Sequence, residues 1–173
     1  MTHIDQRCAN ILGATALALG DRLAERAVSA DGTSHDAALV ALLEYLGGGT
    51  ISELRAVVGL THSGCVRLVD RLVDQGLVRR EPARDGRSVA LVLTREGRAR
   101  AREIQLARRA TVAATLEVLD ADEQARLGEL CAKLLGALRR SGSSPVAICR
   151  FCDGELCGHP DRCPVTLAGA IGA

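Results

Sequence analysis

The sequence predicts a mainly α chain of six helices with one two-stranded β ribbon between the fourth and fifth, its first and last helices joining two copies. Three observations carry that reading. Apolar side chains recur at helical spacing through most of the first 140 residues. From Leu77 to Leu93 the period changes to alternation around a turn segment. The chain of 173 residues is 47% apolar, yet Tyr45 and Phe151 are its only aromatic residues, so the core is aliphatic.

Each element has its own start or stop signal. A first helix carries Ile4, Cys8, Ile11, Leu12, Leu19, Leu23 and Ala27 at helical spacing and stops at Asp31–Gly32. Ser34 is expected to cap the second helix, which Gly47–Gly48–Gly49 ends. Thr50 and Glu53 form a capping box for a short third helix closing at Gly59, and Thr61 caps a fourth closing at Gly76. Leu77–Arg80 and Ser88–Leu93 read as strands flanking Glu81–Arg87, where Pro82 and Asp85–Gly86 supply turn chemistry. Thr94 caps a fifth helix to about Leu119, and Asp120 with Glu123 boxes a sixth that runs through Arg139–Arg140. Ser141 to Pro145 then reads as a linker.

Composition narrows the function. No uncharged apolar run approaches the length of a membrane span. Arg7 precedes an apolar stretch, but Asp5 lies in what would be the positive region of a leader and the helical pattern continues past it, so a cytoplasmic protein is expected. Two aromatic residues cannot build a base-stacking surface or a haem or flavin pocket. The formal net charge of +1 conceals a basic middle: residues 61–110 hold 12 basic and 6 acidic side chains. All basic residues but Lys133 are arginines, whose planar fork suits phosphate oxygens and guanine edges. A solvated charged face is the plainer account of that middle.

The order of elements is that of a winged helix-turn-helix between two helical arms, with the third and fourth helices as the helix-turn-helix. The run ISELRAVVGLTHSGCVRLVDRLVDQGLV, from Ile51 to Val78, resembles the reading head of MarR-type transcription regulators. Arg84–Asp85–Gly86–Arg87 followed by Leu91–Val92–Leu93–Thr94 and Gly97 resembles that family's wing signature. The resemblance spans about residues 5–140 and implies a homodimer on pseudo-palindromic double-stranded DNA, a repressor released by a small-molecule inducer or by oxidation.

The residues of the fourth helix agree. Val66, Val69, Leu72 and Val73 take the inward spacing, which leaves Thr61, His62, Ser63, Arg67 and Arg71 towards the outside for a major groove. Arg67 suits a guanine edge, while hydroxyls and N–H groups at a helix start suit phosphate. At the ribbon tip, Arg87 is placed for the minor groove with Asp85 to orient it, and Arg84 for a phosphate. The plainer alternatives are an intrahelical pair for Arg71 with Asp70 or Asp74, and ordinary exposure for His62 and Arg87. Cys65 reads as a small core residue, with a redox thiol as the alternative, and Cys8 and Cys131 lie on apolar stripes.

The C-terminus differs in kind. Cys149, Cys152, Cys157 and Cys163 place four of the seven cysteines in a C-x2-C-x4-C-x5-C pattern, near zinc-knuckle spacing with cysteine in place of histidine. Three readings stand: a structural zinc site, an iron–sulfur cluster, to which Cys163–Pro164 adds weight, and metal-free thiols or a disulfide switch. His159 is an alternative ligand to Cys157. The tail follows the last arm helix, so its influence is expected to run through the arm and not beside the wing.

The chain is thus expected to comprise a dimerisation helix (1–33), a DNA-binding winged helix (34–94), further dimerisation helices (95–140), and a linker with a metal-binding tail (141–173). Four thiolates close a metal's coordination shell, and no Ser/His/Asp or phosphate-loop motif appears, so no enzyme is expected. The alternatives are a metal- or redox-sensing regulator with an iron–sulfur tail, and a protein-interaction winged helix that does not bind DNA.

Overall fold

The computed structural model describes residues 5–27, 32–83, 88–139 and 145–170. Helix α1 (Gln6–Glu25) starts at Asp5, whose carboxylate accepts from the N–H groups of Arg7 at 2.9 Å and Cys8 at 3.3 Å. Helix α2 (Thr33–Glu44) begins one residue before the expected Ser34 cap. Gly32, at φ 88°, makes the turn, and no side chain caps the helix. Residues 35–42 of α2 are buried, making it the central helix of the head.

Helices α3 (Ile51–Val58) and α4 (His62–Asp74) follow their local signals. Thr50 and Glu53 form the complete capping box, and Gly59 closes α3 in the left-handed region at φ 70°. The hydroxyl of Thr61 accepts from the Gly64 N–H at 3.1 Å and starts α4. Strands β1 (Val78–Pro82) and β2 (Val89–Leu93) pair antiparallel, Val78 opposite Leu93 and Pro82 opposite Val89. β1 starts later than expected because the Leu77 N–H donates to the Leu72 carbonyl at 2.9 Å and so belongs to the end of α4. It also runs further, since Glu81 and Pro82 still pair with Ala90 and Val89.

Helix α5 (Arg95–Leu116) is locked to the ribbon's base. The Thr94 hydroxyl accepts from the Gly97 N–H at 3.0 Å and donates to the Gly76 carbonyl at 2.7 Å. A Cβ on Gly97 would collide with the Leu77 carbonyl oxygen, which is why the approach needs glycine. Leu39, Leu54, Leu68, Leu72, Leu91 and Ile104 form the largest fully buried side chains of the head, one layer shared by five elements.

The arms contrast with the head. Among the described residues neither α1 nor α6 (Ala121–Leu138) buries a side chain, and Ile11, Leu17, Leu130, Leu134 and Leu138 remain exposed. The tail forms three short helices, α7 (Pro145–Cys149), α8 (Gly154–Cys157) and α9 (Pro164–Ala170). The tail touches both the arm and the head. α9 packs along α6, whereas α7 packs on α3 of the helix-turn-helix, and Val146 and Phe151 join the margin of the head's core.

Candidate nucleic-acid interface and cysteine cluster

Helix α4 sorts its residues by face. Cys65, Leu68, Val69 and Leu72 are buried, which fixes the opposite side as the exposed one. Thr61, His62, Ser63, Arg67 and Arg71 all lie on that exposed side, three of them at the helix start. The Thr61 and Ser63 hydroxyl oxygens are 3.4 Å apart, so the first turn presents two hydroxyls together. Asp70 forms an ion pair with Arg80, tying α4 to β1. Cys65 is a core residue: its thiol donates to the Ile51 carbonyl at 3.7 Å, and burial pushes its pKa up, away from the thiolate.

The ribbon is fixed to the head at its base. The Ala83 N–H donates to the Ser88 carbonyl at 2.9 Å, the last described rung, and the Leu91 N–H donates to the Gly49 carbonyl at 2.8 Å, anchoring β2 to the head. Arg84, Asp85 and Arg87 lie outside the described residues.

The four tail cysteines are neighbours. Cys149 and Cys163 are buried with Val165 in a second small core, to which Tyr45, Ile148, Cys152 and Cys157 are packed. Hydrogen bonding to Cys152 and burial push the Cys149 thiol up, while the same bond from Cys149, aided by Arg108, pulls Cys152 down against its own burial. Burial raises Cys157, which lies beside Cys152 and Cys163. Burial also acts to raise Cys163, but hydrogen bonds from Thr166, Val165 and His159 outweigh it and bring the thiol to about 7. The cluster is thus a set of thiols bonded to one another, and among the described residues no group of three His, Cys, Asp or Glu side chains stands ready to hold a metal ion.

Residues 33–88 match the MarR family model MarR_2. The fold is a MarR-type winged helix. Solved structures extend the likeness over most of the chain. A MarR family protein from Bacillus stearothermophilus is 27% identical with a TM-score of 0.65, covering 76% of this chain and 96% of its own. The YusO protein of Bacillus subtilis is 25% identical, TM-score 0.63, covering 77% and 97%. Wild-type apo MarR of E. coli is 26% identical, TM-score 0.59, covering 78% and 99%. Comparison with curated proteins returned no match. Among the described residues, no helix is long and apolar enough to cross a membrane.

What sequence reading missed is the seam between the MarR-type head and the tail. The Glu44 carboxylate, at the end of α2, accepts from the Gly154 N–H at 3.0 Å and from Gln105 Nε2 at 3.0 Å. Gln105 is buried and also donates to the Cys152 carbonyl at 3.2 Å. Arg109 pairs with Asp153 at 3.2 Å. The Arg108 guanidinium lies 3.8 Å from the Phe151 ring centre, and the His159 ring stands edge-on to Tyr45 at 5.3 Å. Both aromatic residues of the chain are therefore at this seam. Their scarcity was the available signal, but nothing local connects residue 45 with residue 159.

Proposed function

We propose that the chain is a cytoplasmic, homodimeric transcription regulator of the MarR type, a repressor that reads a pseudo-palindromic operator in double-stranded DNA. The observation that carries this reading is the exposed face of α4, where Thr61, His62, Ser63 and Arg67 cluster at the start of a helix rigidly backed by the aliphatic core. In the major groove, Thr61 and Ser63 hydroxyls hold phosphates, Arg67 reads a guanine edge, and Arg71 and His62 flank them. Arg84 and Arg87 at the ribbon tip, with Asp85 between them, serve the adjoining phosphate and minor groove. The solved relatives support a regulator over an enzyme. The exposed leucines of α6 and the apolar face of α1 support a second copy of the chain as their cover. A cleft of about 430 Å³ whose lining includes Leu23, Arg108, Arg109, Val112, Phe151 and Asp153 is the place we assign to a small-molecule inducer.

The tail is proposed as a metal site held by Cys149, Cys152, Cys157 and Cys163. What supports it is the kind and grouping of the donors: four thiols border one small core, and Arg108, beside Cys152, would offset the negative charge that metal-bound thiolates bring. Zinc supplies a closed, redox-inert crosslink there. Cys149, Cys152, Cys157 and Cys163 would hold the ion as thiolates, and His159, within hydrogen-bond distance of Thr166 at 3.1 Å, is not needed as a ligand.

Selection of bound duplexes from a random pool tests the reading. Enrichment of an inverted repeat with half-sites about one helical turn apart is expected, and its absence would overturn the operator reading. Metal analysis and a visible spectrum of anaerobically purified protein decide the tail. Colourless protein with one zinc per chain is expected, whereas iron with a brown absorption would replace zinc by an iron–sulfur cluster.

A further inference from the structure

We propose that the tail is a zinc-dependent strut: filled, its four cysteines lock α7, α8 and α9 into one brace that fixes α6 relative to the helix-turn-helix and raises operator affinity. This rests on reading the four thiols as one metal site and the chain as a dimer.

The path is short. Within the chain, the principal packing of α6 is against α9, and Arg139 at the end of α6 donates to the Val165 carbonyl at 3.4 Å. α9 touches α7, and α7 lies on α3, the first helix of the helix-turn-helix. Glu44, Gln105 and Arg109 hold the middle of the tail to α2 and α5. The arm helix and the reading head are therefore joined twice, once through α5 and once through the tail.

The second joint depends on its centre. Helices of five, four and seven residues are far below the length at which a helix holds itself in water. Cys149 is the last residue of α7, Cys157 is the last of α8, and Cys163 immediately precedes α9. One ion bonded to these three and to Cys152 crosslinks an end of each short helix, which converts three marginal helices into one rigid body. With the brace rigid, the angle between arm and head is fixed. A dimer must land two heads on half-sites about 34 Å apart, and pre-aligned heads give up less conformational freedom on binding.

The test uses the full chain, reduced and stripped by a chelator, then loaded with one equivalent of zinc and titrated against the selected duplex by fluorescence anisotropy. Bound zinc is measured in parallel. The strut predicts one zinc per chain and affinity at least about fivefold higher in the loaded form, the lower end of ordinary coupling. One zinc with equal or weaker affinity overturns the strut and leaves the metal site standing. No bound zinc overturns both. Val146→Asp breaks the contact of α7 with the head but spares all four cysteines. It should keep its zinc and lose most of the zinc-dependent gain, with Val146→Ala intermediate. A Val146→Asp protein with zinc bound and the full gain would show that the coupling does not pass through α7, which also overturns the proposal.

Discussion

Glu44→Ala probes the seam without touching α4. The substitution removes both acceptor oxygens, leaving the Gly154 N–H without its partner and the Gln105 amide with the Cys152 carbonyl alone. Hydrogen bonds to a charged group contribute roughly 1.5–3 kcal/mol each. Because the two share one half-buried carboxylate, their combined loss is set at about 3 kcal/mol, towards the low end of the sum. That energy acts on the opening of the tail and not on the head's own core. At about 1.4 kcal/mol per decade, the opening equilibrium of the tail rises about 100-fold. Hydrogen exchange read by mass spectrometry should show peptides over residues 150–163 exchanging about 100-fold faster, with α4 unchanged. Glu44→Gln keeps one acceptor oxygen and should restore about half of the lost protection in energy. Unaltered exchange in Glu44→Ala would refute the seam as a source of tail order.

Other perturbations address the remaining parts. Arg67→Ala should relax base preference in a duplex selection, whereas Arg84→Ala should weaken binding evenly and lower the salt slope by about 0.9, measured by titration at several salt concentrations. Leu130→Asp with Leu134→Asp should turn a dimer into a monomer in sedimentation at micromolar concentration and cost operator affinity. Gly97→Ala, which thrusts a methyl group at the Leu77 carbonyl, should lower stability in urea by about 1–3 kcal/mol. The Glu53 carboxyl is held below its ordinary 4.5 by the Thr50 N–H and hydroxyl. Its support of α3 is therefore present above pH 4.5 and fades as pH falls through the lowered value. Thr50→Ala keeps the backbone N–H and should only weaken that dependence at a cost of about 1 kcal/mol, whereas Glu53→Gln should remove it from the acid unfolding curve.

Legibility followed the range of the interactions. The capping boxes Thr50–Glu53 and Asp120–Glu123 are four-residue events, and both stand as their spacing requires. The buried face of α4 was readable from its apolar period, although Cys65 and Leu68 join it and Val66 and Val73 sit at its margin. Ser34 misled because a hydroxyl before an apolar run resembles a cap, while the positive φ of Gly32 had already turned the chain. Sequence spacing did bring the four cysteines forward as a group. It could not reveal their docking, since the groups that hold Gly154 and Cys152 belong to residues 44 and 105. Such contacts form only once α2 and α5 are packed together.

The seam has an optical consequence. With one tyrosine and no tryptophan in the chain, the protein's intrinsic ultraviolet emission arises at Tyr45, against the His159 ring and the sulfur atoms of the tail. Burial, with Cys152 and Cys149 near by, also pushes this phenol's pKa up, so it stays protonated well into alkaline solution. A label-free fluorescence record of the whole chain is therefore a record of one boundary. Departure of the tail from α2 changes its single emitter, so undocking is followed in real time without any dye.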